Sequence, residues 1–156
     1  VLFGDSLFAL RLIPALSAAP KVLLAGWMAR EVGGQKFSQF FAALLVLLAP
    51  IYLTFDNFLS MNAFEPVFWM LCAAIVLRMV RVSGSVPPDP ERKNAGGPHL
   101  WLLFGAVAGI GILNKHSMLF FGSGLTVGLL LTPARKQFAR IGIWLGALIA
   151  FLIFLP

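Results

Sequence analysis

Phe37-Ser-Gln-Phe-Phe-Ala-Ala-Leu-Leu-Val-Leu-Leu-Ala-Pro-Ile-Tyr-Leu-Thr-Phe55 runs for 19 residues without a charged side chain. Crossing the hydrocarbon core of a bilayer takes roughly 20 mostly apolar residues, and a helix that is apolar all round has no face to give to water. Working outward, similar runs occupy about 7–28, 66–82, 99–114, 117–132 and 141–156. The runs 99–114 and 117–132 are short at 16 residues each, which predicts little tilt or a thin stretch of bilayer. The first run contains Pro14, Pro20 and Lys21. A kink is expected there, with Lys21 reaching its ammonium toward the Met28 end. The reading is an all-α integral membrane protein: a polytopic bundle of about six spanning helices, forming a single transmembrane domain over 1–156.

Composition excludes the main alternatives. The chain is 60% apolar and 12% charged, with a mean hydropathy of +0.92, whereas a soluble domain carries about 25% charged residues. Its net charge of +6 does not indicate nucleic acid. Nucleic-acid proteins cluster Lys and Arg on one exposed face, and here the basic residues lie scattered between apolar runs. Cys72 is the single cysteine, so no internal disulfide forms, and no Cys/His spacing suggests a metal site. The chain opens at Val1, closes at Pro156 inside an apolar run, and shows no signal-peptide pattern. It reads as an internal piece of a longer protein.

Orientation follows from the short loops, because Lys and Arg favour the cytoplasmic side. One set of loops holds Arg30, Lys36, Arg78, Arg81, Arg92, Lys93, Arg135, Lys136 and Arg140; the opposite set holds Arg11 and Lys115. Nine against two makes the first set cytoplasmic. The Pro- and Gly-rich stretch 83–98 is then a flexible cytoplasmic connector. Trp27, Trp101 and Trp144 are expected at the cytoplasmic interface, and Trp69 at the external one. Gly105-Ala-Val-Ala-Gly109 and Gly124-Leu-Thr-Val-Gly128 allow close helix packing within the bundle.

The external face then collects Asp5, Arg11, Asp56, Asn57, Asn62, Glu65, Asn114, Lys115 and His116. Glu65 stands in Asp56-Asn-Phe-Leu-Ser-Met-Asn-Ala-Phe-Glu65-Pro66, where a loop turns into a helix. Asn62-x-x-Glu65 fits a capping box, with Pro66 in the first helical turn. The functional reading of Glu65 is a carboxylate at the membrane surface that accepts a proton or orients an acceptor. Asp56 fits either chemistry or a turn in which it binds neighbouring amides. Asp5, beside Ser6, reads as a helix N-cap. Lys115 and His116 separate two apolar runs, and ionisable residues at that depth are costly and point to function. The bland alternative is a turn whose cation reaches headgroup phosphate. As a functional residue, Lys115 would bind an anionic phosphate as a point charge and Arg11 would bind one in bidentate fashion. His116 has no partner histidine on its side of the membrane, so a metal role fails.

The order of these motifs resembles glycosyltransferase family 39. Gly4-Asp-Ser-Leu-Phe-Ala-Leu-Arg11-Leu-Ile-Pro14-Ala-Leu16 is similar to the family's G-x-S-x-x-A-x-R-x-x-P-A-L opening. Gly26-Trp-Met-Ala-Arg30-Glu31-Val-Gly33-Gly34 is similar to its AR-x-x-G-G helix end. Met61-Asn-Ala-Phe-Glu65-Pro-Val-Phe-Trp69 resembles a segment with one acidic residue opening a helix. Gly109-Ile-Gly-Ile-Leu-Asn-Lys115-His-Ser resembles G-L-x-x-L-T-K-x. The resemblance extends from about Gly4 to Thr132. The family includes protein O-mannosyltransferases and the aminoarabinose transferases of lipid A, and more often has Asp where Glu65 stands.

The resemblance implies a GT-C membrane fold and an inverting sugar transfer on the external face. The donor is a polyprenyl-phosphate-linked sugar and the acceptor a protein or lipid hydroxyl, in the bacterial inner membrane, with no cofactor. Glu65 matches the acidic position of the second external loop, Lys115 the lysine after the Gly-rich helix, and Arg11 the arginine near the opening. The principal carboxylate falls in a first external loop upstream of Val1, and Asp5 does not match it. On this reading the candidate catalytic residues are Glu65 and Asp56, with Lys115, Arg11 and His116 at the donor phosphate. The partners are the donor lipid, the acceptor and membrane lipid. The rival reading is a transporter or flippase for a polyprenyl lipid or small molecule, kept open by Pro20 and Lys21; a non-catalytic scaffold is a third.

Overall fold

Proline positions decide where the helices of this computed structural model stop and restart. The structure describes residues 7–84 and 98–155, and among them every regular element is helical. Most of the expected connector 83–98 lies outside the described residues, as does Asp5. The chain divides into two compact units, Val1–Met70 and Leu71–Pro156.

In the first unit, α1 (Leu7–Leu16) and α2 (Ala18–Glu31) meet at Ser17. Pro20 lacks the N–H that would reach the Leu16 carbonyl, and its ring crowds that carbonyl, so the helix breaks just after Leu16. Within the restarted helix Pro20 sits in the first turn, where no intrahelical donor is needed. Ser17 itself keeps helical angles, φ −69° and ψ −18°, and the pair offers a 21-residue candidate span over Arg11–Glu31.

Helix α2 ends in a Schellman turn. The Gly34 N–H donates to the Ala29 carbonyl at 2.8 Å and the Gly33 N–H to the Arg30 carbonyl at 3.0 Å. Gly33 takes φ +95°, the left-handed conformation that a side chain resists. The Gly33-Gly34 pair thus has a conformational cause. It turns the chain into α3 (Lys36–Leu48), which packs along α2 with Gly26 facing Gln39 and Ala43. Gln39 Nε2 donates to the Gly34 carbonyl at 2.9 Å and pins the turn. No residue of α3 is buried, and Phe37 is 76% exposed, as suits a helix bathed in lipid. The run 37–55 is nevertheless not one helix. Ala49, extended at φ −63° and ψ 119°, precedes Pro50, which opens a separate α4 (Pro50–Phe55). A residue before proline is driven out of the helical region.

Helix α5 (Met61–Gly84) runs from the first unit into the second and supplies the other long apolar span, Met61–Arg81. In the second unit, α6 (Pro98–Asn114) lies against α8 (Ile141–Phe154) at backbone contact. A Cβ on Gly105 would fall 2.1 Å from the Gly146 carbonyl oxygen, and one on Gly109 would fall 3.1 Å from Ala150 Cα. Gly105-x-x-x-Gly109 thus packs inside the bundle as expected, against a Gly142-x-x-x-Gly146-x-x-x-Ala150 stripe in α8. Gly124 and Gly128 in α7 (Met118–Leu131) meet nothing within 4 Å, so the second glycine pair does not serve that purpose here.

After α7 the chain bends by 109° into a 3₁₀ segment, Pro133–Ala139. Thr132 before Pro133 is extended, for the same reason as Ala49. The core of this unit joins Ile75, Val76, Met79, Leu100, Trp101 and Leu129. Trp101 is 4% exposed and meets Phe104 edge to face. It is a core residue and not part of an interfacial belt, a correction to the sequence reading. Trp144 is exposed, its indole N–H donating to the Phe138 carbonyl at 3.1 Å.

All six expected segments are helical. By length and composition, two are long and apolar enough to cross a membrane, or three if the bent α7 pair counts as one span. Among the described residues the structure is an all-α integral membrane fold.

Candidate functional site

The break at Ser17 places polar groups inside an otherwise apolar packing. Lys21, one turn into α2, is 1% exposed and forms an ion pair with Oδ1 of Asp56, whose side chain is 11% exposed. Ser17 Oγ lies 3.2 Å from the same Oδ1 and 3.1 Å from the Ala63 carbonyl oxygen. Lys21 Nζ also donates to the Ala63 carbonyl at 3.4 Å and sits 5.0 Å from the centre of the Tyr52 ring. An ammonium in a dry interior is tolerated only with a counter-charge and satisfied N–H groups. Asp56, the Ala63 carbonyl and the Tyr52 face provide them, the last by cation–π attraction. Lys21 does not reach toward Met28, as the sequence reading expected. A carboxylate across the fold is closer than any headgroup.

Local structure explains how Asp56 arrives there. It terminates α4, its N–H donating to the Tyr52 carbonyl at 2.8 Å, and this six-residue helix exists because Pro50 restarts the chain. Lys21, Tyr52, Asp56 and Asn57, with Ala18 and Val46, line a cavity of about 230 Å³. The pocket is small and joins one buried charge pair to an amide and a phenol, an arrangement suited to binding hydroxyl groups or a small polar headgroup.

Glu65 is half-buried in α5. The helix cap lies two residues upstream of the expected one: Ser60 Oγ accepts the Asn62 N–H at 3.1 Å, and the Ala63 N–H donates to the Ser60 carbonyl at 3.1 Å. Asn62 is therefore inside the helix, and Asn62-x-x-Glu65 is not its capping box. Pro66 falls in the second turn, where it removes the N–H that would have reached the Asn62 carbonyl. Arg11 is exposed on α1.

The second unit holds Lys115 and His116 in the tight turn between α6 and α7. The Lys115 N–H closes α6 on the Gly111 carbonyl at 2.9 Å, and the Met118 N–H returns to the Lys115 carbonyl at 3.2 Å. Lys115 is half-buried, while His116 is exposed and meets Phe154 edge to face at 6.0 Å. Of the residues singled out from sequence, Asp56 is drawn into the buried network of the first unit, and Lys115 and His116 share the turn of the second. Ser17 and Lys21 were not singled out as site residues. The signal was present: a lysine amid Pro20, Val22, Leu23 and Leu24 needs a carboxylate, and Asp56 ends the apolar run that follows.

Among the described residues, no three His, Cys, Asp or Glu side chains group as a metal site would require. Comparison with known proteins gives one result: the sequence model of the dolichyl-phosphate-mannose-protein mannosyltransferase family matches residues 1–156. No curated protein and no solved structure matches the chain significantly.

Proposed function

The chain belongs to the dolichyl-phosphate-mannose-protein mannosyltransferase family, and from that premise we propose that the complete protein moves a sugar from a polyprenyl-phosphate donor to a protein or lipid hydroxyl. The reaction takes place on the external face of a bacterial inner membrane. The family match along all 156 residues is the observation that carries this reading.

In the proposed step the acceptor oxygen attacks the anomeric carbon, the bond from that carbon to the phosphate oxygen breaks, and polyprenyl phosphate departs with the electron pair. The acceptor's proton goes to a carboxylate, the role the family resemblance assigns to a first external loop. Glu65 orients acceptor or donor. Lys115, Arg11 and His116 meet the phosphate, whose growing charge is stabilised electrostatically, so no added acid is needed. Asp56 acts through Lys21 and Ser17, holding the small cavity of the first unit in shape.

Two charge-removing substitutions test these roles. In the complete enzyme Glu65→Gln and Lys115→Gln are each expected to lower sugar transfer by about 10²-fold or more, with the protein's melting temperature little changed. Wild-type transfer by either variant would remove that residue from the mechanism.

A further inference from the structure

Residues 98–155 contain Lys115, Arg135, Lys136 and Arg140 and not one Asp or Glu. The described part of α5 in the same unit, 71–84, adds Arg78 and Arg81 and again no carboxylate. Among the described residues, the side-chain charge of this unit is therefore all basic. Three of those cations flank or belong to the 3₁₀ segment Pro133–Ala139, which α7 enters through its 109° bend.

Residues of that segment line two cavities. One, of about 490 Å³, is lined by Lys136, Arg140, Gln137 and Thr132 with Val80 and Leu129. The other, of about 460 Å³, is apolar and walled by Trp101, Phe104, Met118, Leu125, Phe138 and Trp144. Leu129 contributes to both walls, while Gln137 faces the basic cavity and its neighbour Phe138 the apolar one. A basic chamber beside a dry one, in a chain immersed in lipid, is complementary to a molecule with one anionic head and a hydrocarbon tail. Basic pockets between membrane helices bind anionic headgroups in this manner. Arg140 can take a phosphodiester in a bidentate grip while Lys136 adds a point charge.

We infer that the second unit holds one anionic phospholipid of the surrounding bilayer, its phosphate between Lys136 and Arg140 and an acyl chain in the apolar cavity behind Leu129. The site is independent of the sugar-transfer reading. It needs no catalysis and uses none of the residues assigned to the reaction.

The test is lipid binding to the complete, delipidated protein in detergent, counted by native mass spectrometry and followed by thermal melting. Phosphatidylglycerol is the probe; phosphatidylcholine, inorganic phosphate and polyprenyl phosphate without its sugar are the comparisons. One phosphatidylglycerol is expected to bind and raise the melting temperature, with phosphatidylcholine and phosphate doing neither. Lys136→Gln combined with Arg140→Gln is expected to weaken binding by about tenfold, and Arg135→Gln, which is outside the cavity wall, by no more than about twofold. Gly122 lines the apolar cavity, and a Cβ there meets nothing within 4 Å. Gly122→Leu therefore fills the tail chamber without a backbone clash and is expected to weaken phosphatidylglycerol while sparing the fold.

Equal loss on Arg135→Gln would mean diffuse surface attraction and overturn the site. Binding by phosphate alone, or displacement of phosphatidylglycerol by equimolar polyprenyl phosphate, would assign the cavity to another ligand and overturn it as well. Failure of wild-type protein to bind phosphatidylglycerol would overturn the site outright.

Discussion

Lys21 and Asp56 carry the sharpest energetic statement available at the level of single residues. Removing one partner leaves a charge or dipole stranded in a dry interior, at a cost of about 3 kcal/mol or more. Removing both leaves mostly apolar packing. Lys21→Met and Asp56→Leu are each expected to lower thermal stability clearly, whereas the double variant recovers most of the loss. Strictly additive losses in this double-mutant cycle would show that the pair contributes nothing as a pair. The network was hidden from the sequence for a physical reason. Snorkelling is judged from the distance along one helix, and Lys21 lies only seven residues from Met28. The competing partner stands 35 residues away and reaches Lys21 only because Pro50 restarts the helix that ends at Asp56. Glu65 was legible as a carboxylate near a helix start, but the position of the cap was not. Ser60 and Asn62 both suit a cap, and nothing local chooses between them.

At the scale of elements, glycine and proline set the contacts and the breaks. The α6–α8 contact rests on Gly105 and Gly146, with backbone on the far side of each. Gly105→Ala would force a methyl into the Gly146 carbonyl, and overpacking of this kind costs about 1–3 kcal/mol. Gly128→Ala, facing open space, is expected to cost nothing and even gain up to about 1 kcal/mol from helix propensity. Comparing the two melting temperatures checks this: equal shifts would deny that α6 and α8 meet at Gly105. Gly33→Ala is expected to destabilise by about 1 kcal/mol through its left-handed turn, and an unchanged melting temperature would contradict that conformation. The first glycine pair could be read from sequence because it is spaced for a helix contact. Its partner in α8, Gly142-x-x-x-Gly146-x-x-x-Ala150, was passed over because it lies inside a uniformly apolar run. Hydropathy also ran straight through Pro50, although Ala49 before it had to be extended.

For the whole molecule, a charged fraction of 12% against 60% apolar residues was enough to identify a membrane protein. The order of the Arg11, Gly33-Gly34, Glu65 and Lys115 motifs was enough to suggest the family that the comparison then supplied. What composition does not encode is where an apolar run breaks: it finds the run 37–55 but not the extended Ala49 inside it. Nor does it distinguish transfer of a sugar from movement of the lipid that carries it, because both need cations and a carboxylate at a membrane edge. That distinction is experimental. Purified complete protein in detergent, with no bilayer and no gradient, is given mannose- or aminoarabinose-charged polyprenyl phosphate and a hydroxyl-bearing acceptor. The account predicts that the sugar appears on the acceptor and polyprenyl phosphate is released in equal amount. Absence of transfer in detergent, with the same lipid carried across the bilayer once the protein is reconstituted, would contradict it and make the protein a transporter.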